Sequence, residues 1–173
     1  MRQTIVKKGS FASCHRISNH KGKCHNLHGH NYNYEIGISY DLNKQELNEC
    51  NYVMDFGELK SVYQNAIDTF FDHSVIANEK DTELIELAKK INDPTRVILS
   101  SGDPSVEVIS QMIIYLCHRI QHSYKYAKES TAEINYIKIY ETDNSYCELV
   151  VNYEDIRNIK VSEQFIKLLD KYM

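Results

Sequence analysis

Three histidines carry the strongest chemical signal in the chain: His15, and the pair His28-Gly29-His30 thirteen residues on. Residues i and i+2 of a strand project from the same face about 6 to 7 Å apart, so His28 and His30 can bracket one ion while a neighbouring strand offers His15. Gly29 leaves room on the opposite face. Three protein nitrogens leave a position open for water or substrate, the arrangement of a catalytic zinc and not of a closed structural one. Cobalt, nickel or iron fit the same ligands. A lone His-x-His is often no more than a pair of partly exposed side chains; His15 in a preceding apolar strand is what raises this one above that reading.

The elements that must position these side chains are legible in the hydrophobic pattern. Phe11, Ser13, His15 and Ile17 share one side of a strand, and His28, His30, Tyr32, Tyr34, Ile36 and Ile38 share one side of the next, with a turn from Ser18 to Cys24 between. Asp55 with Glu58 three residues on predicts a capped helix over about Phe56 to Phe70. A second helix is expected to open at Asp103-Pro104, proline at its first position, and to run through Ile120 before fraying over Gln121 to Ser130. Two strands, about Ala132 to Tyr140 and Tyr146 to Tyr153, flank Thr142-Asp143-Asn144-Ser145 and predict a hairpin. Residues 76–102 read as a charged insertion with a helical patch from about Thr82 to Lys90, and the tail from Ser162 as a short terminal helix. Strands, helices, then strands imply an α+β fold, an antiparallel sheet with two main helices on one face.

Composition narrows the rest. A chain of 173 residues fits a single domain over residues 1–173. The net charge of -4 argues against broad nucleic-acid binding but leaves room for a local basic patch that meets a small anion. No run approaches the roughly 20 apolar residues of a membrane helix, and the N-terminal stretch lacks the layout of a secretory signal, so a cytoplasmic location and no membrane partner are expected. The five cysteines lack any CxxC pair, which suits a reducing compartment.

Phe11-Ala-Ser-Cys-His15-Arg and Cys24-His-Asn-Leu-His28-Gly-His30-Asn-Tyr together resemble the signature of the 6-pyruvoyl-tetrahydropterin synthase superfamily. The spacing Cys-x3-His-Gly-His is similar to its bacterial branch, 6-carboxy-tetrahydropterin synthase; many animal-type relatives have two more residues there. Val53-Met-Asp55-Phe, Phe71-Asp72-His73, Pro104-Ser-Val-Glu107 and Tyr140-Glu141-Thr142 follow in the family's order, so the likeness spans most of residues 11 to 145. It departs at Ser105-Val106, where relatives often have paired threonines, and in the insertion and terminal helix.

The resemblance implies zinc on His15, His28 and His30, with Cys24 as general base. A cation nearby lowers a thiol pKa from near 8.5, which favours thiolate at neutral pH. Cys14 alternates to the face opposite His15 and is the decoy. Asp72 and His73 resemble the family's acid/base pair, the carboxylate fixing the imidazole's tautomer; without the other motifs, His73 could simply complement a helix C-terminus. Glu141 shares a face with Ile137 and Ile139 and could take the paired N–H donors of a pterin. Glu107 is assigned either to that pterin site or to its helix dipole. Arg16, Lys21 and Lys23 could meet a triphosphate.

The implied reaction converts 7,8-dihydroneopterin triphosphate to 6-carboxy-5,6,7,8-tetrahydropterin, an early step toward queuosine. The alternatives are the pyruvoyl product or a homologue that binds without turnover. The resemblance also implies a tunnelling-fold barrel, a homohexamer of two stacked trimers, and active sites at subunit interfaces, where Glu141 could reach a zinc held by another chain.

Overall fold

The computed structural model describes residues 1–44, 47–123 and 132–173. Its centre is a six-stranded sheet in the order β4-β3-β1-β2-β5-β6. Strands β1 (Arg2–His15) and β2 (His28–Asp41) are its longest, and they pair antiparallel along their whole length, from Arg2 opposite Asp41 to His15 opposite His28. β5 (Glu133–Thr142) adds antiparallel to β2, and β6 (Ser145–Val150) adds antiparallel to β5 as the expected hairpin.

On the other side of β1 the sheet changes sense. β3 (Ser74–Asn78) and β4 (Val97–Ser100) run parallel to β1 and to each other. The purely antiparallel sheet expected from the sequence is therefore a mixed one. The cause lies in residues 76–102, where α3 (Thr82–Ile91) is the crossover that two parallel strands require. All five residues of β3 are buried, as in strands covered on both faces. That run of Ser-Val-Ile-Ala-Asn has no two-residue alternation to betray it as a strand.

The helix expected over residues 56–70 is present as α1 (Phe56–Leu59), a π-helical turn (Lys60–Gln64) and α2 (Asn65–Phe71), capped by the Asp55 carboxylate on the Gly57 N–H at 2.6 Å. α4 (Val106–Ser123) is the long second helix; the expected fraying beyond it falls on residues 124–131, outside the described residues. It starts two residues later than the proline implied, because Ser105 accepts the first helical bond from Ile109. A short α5 (Tyr153–Ile156) follows β6, and α6 (Glu163–Tyr172) ends the chain.

The main core lies between the inward side chains of the sheet and helices α1, α2 and α4, with Phe11, Tyr32, Tyr34, Ile36 and Ile38 meeting Leu59, Ile67, Phe71, Ile113 and Leu116. α3 covers the opposite face, packing Leu84 and Ala88 against Val75, Ala77 and Val97. α6 closes the β4 edge with a side chain: the Leu99 N–H donates to Gln164 Oε1 at 3.1 Å, and Gln164 Nε2 donates to the Val97 carbonyl at 3.2 Å. An amide side chain thus stands where a further strand would pair. Among the described residues, no helix is long and apolar enough to cross a membrane.

Candidate metal centre and its surroundings

The antiparallel register decides the site. It places His15 directly across from His28 and Ser13 across from His30, so the three imidazoles gather at the open end of the β1–β2 ladder. Ring centroids are 4.6 Å apart for His15 and His28, 5.3 Å for His15 and His30, and 5.0 Å for His28 and His30. Their ligating atoms all lie within 4.8 Å of one another. A Cβ at position 29 would stand 3.1 Å from the Ser13 carbonyl, which explains the glycine between the two histidines.

Backbone carbonyls orient two of the rings. His15 Nδ1 donates to the Pro104 carbonyl at 2.6 Å and His28 Nδ1 donates to the Asn26 carbonyl at 2.8 Å. A carbonyl only accepts, so both protons sit on Nδ1 and both Nε2 atoms carry a lone pair, that of His15 facing the Tyr32 hydroxyl. His15 is 1% exposed. Burial, reinforced by His28 and His30, pushes its pKa below the usual imidazole value against the opposing effects of Pro104 and Glu141, which keeps it neutral as a ligand must be. His30 Nε2 is buried and has no hydrogen-bond partner. A buried nitrogen of that kind is costly unless something fills its lone pair, so the donor set fits a metal ion on an observation independent of spacing.

Two further groups line the cluster. Glu141 Oε1 lies 3.8 Å from both His15 Nε2 and His30 Nε2. It therefore stands beside the histidines of its own chain. The Tyr32 hydroxyl is 3.3 Å from His15 Nε2. Burial above all raises its pKa, so the phenol stays protonated and donates. Sequence reasoning missed Tyr32, Asn26 and the Pro104 carbonyl as parts of the site; Tyr32 could have been found, since it alternates with His30.

Cys24 sits in a 3-10 turn (Lys23–His25) between the two strands, half-buried, its carbonyl accepting from the Ile17 N–H at 2.8 Å. Cys14 points to the α3 side, as alternation requires, and burial pushes its thiol pKa up. Arg16 is already taken up by carboxylates of its own chain. Its guanidinium grips Asp81 at 2.6 Å and Glu83 at 2.9 Å, both carried by residues 76–102. Lys21 and Lys23 remain exposed in the Cys24 loop.

Asp72 and His73 do form a pair, with His73 Nδ1 donating to Asp72 Oδ2 at 2.7 Å. The other carboxylate oxygen takes the Ala12 N–H at 2.8 Å. Partial burial would raise the Asp72 pKa, but the Ala12 N–H, His73 and Arg96 outweigh it and hold the carboxyl below its usual value. His73 adopts a left-handed backbone, φ 55°, with its N–H bonded to the Ala12 carbonyl. Its side chain is 83% exposed and borders a groove with Ala12, Cys14, Gly29, His30, Asn31 and Asn92. His30 thus borders both the cluster and this groove, while Asp72 and His73 are outside the group of converging ligand atoms. Glu107 is exposed in the first turn of α4, three residues beyond Pro104.

Residues 4–152 match the sequence profile of the 6-pyruvoyl tetrahydropterin synthase family. The chain belongs to that family. Among curated members, the 6-carboxy-5,6,7,8-tetrahydropterin synthase of Haemophilus influenzae is 32% identical over 147 residues, covering 83% of this chain and 96% of its own. The protein of the same name from Rickettsia typhi is 33% identical over 146 residues, covering 83% of this chain and 97% of its own. Solved structures extend the likeness to the fold. An uncharacterized protein of Wolinella succinogenes superposes with a TM-score of 0.67 at 18% identity, covering 88% of this chain and 99% of its own. The 6-pyruvoyltetrahydropterin synthase of Plasmodium vivax gives 0.64 at 19% identity, with the same coverage. The family's tunnelling fold accounts for the curled sheet with its two main helices on one face.

Proposed function

We propose that this family member is a carbon–carbon lyase that converts 7,8-dihydroneopterin triphosphate into 6-carboxy-5,6,7,8-tetrahydropterin, releasing acetaldehyde and triphosphate, in the cytoplasm and on the route to queuosine. The observation that carries the reading is the convergence of His15, His28 and the orphaned His30 nitrogen in a chain so similar to proteins of that name. Zinc held by these three residues would, when bound, make the protons of the substrate's side-chain hydroxyls more acidic.

The chain's own residues supply the rest. Cys24, on the turn that leads into His28, takes a proton from the substrate side chain as thiolate. Asp72 holds the proton of His73 on Nδ1, leaving Nε2 to accept or return a proton. Glu141 takes the paired N–H groups of the pterin, so the heterocycle is read beside the metal ligands. Glu107, exposed at the start of α4, is the second carboxylate for that ring. Because His73 is exposed and is not among the converging ligand groups, the proton relay is completed by a second copy, in a homohexamer of two stacked trimers. Lys21 and Lys23 are the cations available for the triphosphate.

The test is to incubate zinc-loaded protein with dihydroneopterin triphosphate and identify products by mass spectrometry. A carboxy-pterin with acetaldehyde is expected. A pyruvoyl-pterin would reassign the reaction, and no product at all would reduce the chain to a binding protein.

A further inference from the structure

Asp103 takes no part in the reaction proposed above, and its position explains how that site is held. Its carboxylate gathers four donors from two separate segments. Oδ1 accepts from the Ser18 hydroxyl at 2.7 Å and from Asn78 Nδ2 at 2.8 Å. Oδ2 accepts from the Asn19 N–H and from Asn19 Nδ2, both at 3.2 Å. Partial burial would raise its pKa, but Asn78, Ser18 and Asn19 outweigh that and hold it below the usual carboxylate value.

Ser18 and Asn19 begin the loop that carries Cys24. Within that loop the Ile17 N–H bonds the Cys24 carbonyl at 2.8 Å, the His20 N–H bonds the Ile17 carbonyl at 2.9 Å, and His25 Nδ1 bonds the Ser18 carbonyl at 2.8 Å. The loop is thus a closed unit, and the side chain of Asp103 ties its leading edge to the end of β3 through Asn78. The next residue, Pro104, gives its carbonyl to His15 Nδ1 at 2.6 Å. One dipeptide therefore holds the thiol-bearing loop with its side chain and a metal ligand with its main chain.

We propose that Asp103 is a positioning residue that sets the distance between Cys24 and the three-histidine cluster, an inference that rests on Cys24 being the base. A loop registered by three hydrogen bonds to Asp103 keeps the thiol within reach of substrate in every turnover, and a displacement of about 1 Å is enough to cost on the order of a hundredfold in rate.

The experiment compares wild type, Asp103→Asn and Asp103→Ala, each zinc-loaded, by hydrogen exchange, elemental analysis and steady-state kinetics. Asp103→Ala is expected to speed exchange at residues 17–26 while β2 stays protected and zinc stays bound. It should lower kcat by about tenfold to a hundredfold with KM within about threefold, since orientation and not binding is lost. Asp103→Asn keeps an Oδ1 acceptor and should recover much of both readouts. Unchanged exchange at residues 17–26, an alanine variant no worse than the asparagine, or a lower melting temperature with kcat intact would each overturn the proposal. Zinc loss in Asp103→Ala would also overturn it, by moving the effect to Pro104 and His15. If that variant does not fold, Ser18→Ala removes one bond from the loop side and must loosen the same segment. If wild type shows no turnover, the reading of Cys24 as base fails separately, and hydrogen exchange still decides what Asp103 holds.

Discussion

At the scale of single residues, the three histidines are not equivalent. His15 is buried at 1% exposure and held by the Pro104 carbonyl, whereas His28 and His30 are only half-buried at the strand entrance. His28→Ala should leave the fold intact and sharply lower zinc stoichiometry, because two imidazoles alone make a poor site; full retention of zinc by elemental analysis would count against the cluster. Cys24→Ala should lower turnover by roughly a hundred- to ten-thousand-fold, the usual worth of a general base, with zinc unchanged. Loss of metal in that variant would recast Cys24 as a ligand.

Away from the site, His118 is held down to a pKa of about 4 by burial, with His122, Arg157 and Arg119 adding to the effect. The sign follows from linkage. Between about pH 6.5 and 4 the unfolded chain binds a proton there that the folded chain refuses, so stability falls as pH drops through that window and levels off beneath it. His118→Gln should shrink the loss of melting temperature between pH 7.5 and 5. An unchanged difference would mean that other groups set the acid sensitivity.

At the scale of elements, α6 is more than a tail. Phe165 and Leu169 are fully buried, and Phe165 packs edge-on against Phe70 and Phe71 with centroids 6.4 and 6.0 Å away. The Ser162 hydroxyl donates to the Leu99 carbonyl at 2.6 Å while Gln164 occupies the β4 edge. Phe165→Ala should cost about 3 to 5 kcal/mol in urea unfolding, the range for an aromatic removed from a packed core. A cost under about 1 kcal/mol, the range of a surface substitution, would show that α6 is peripheral. The β3–α3–β4 unit also reaches the site, because Asp81 fixes Arg16 next to His15 and Asn78 fixes Asp103.

At the scale of the whole molecule, the Asp72–His73 pair lies outside the group of converging ligand atoms, and the proposed chemistry draws that pair from a second copy. A hexamer is the mass expected in sedimentation. Co-expressing Cys24→Ala with His73→Ala, each inactive alone, should restore roughly a quarter of wild-type activity, since a shared site draws its two parts independently from two chains. No recovery in a mixed hexamer would place both groups in one chain's site.

Much of this protein can be read from residue order alone, because period-two alternation already puts His15, His28 and His30 on apolar strand faces and turns Cys14 away. The two main helices and the β5–β6 hairpin follow from the same local periodicities and capping residues. What alternation cannot supply is which strand lies beside which and in what register. It left β3 and β4 unseen, because strands buried on both faces lose the alternating pattern. It also left unseen every contact made across the fold: Pro104 on His15, Asp81 on Arg16, Asp103 on the Cys24 loop, and Glu141 beside its own histidines. Those pairs stand up to 126 residues apart in the chain, and only the packed sheet brings them within hydrogen-bonding or ionic reach.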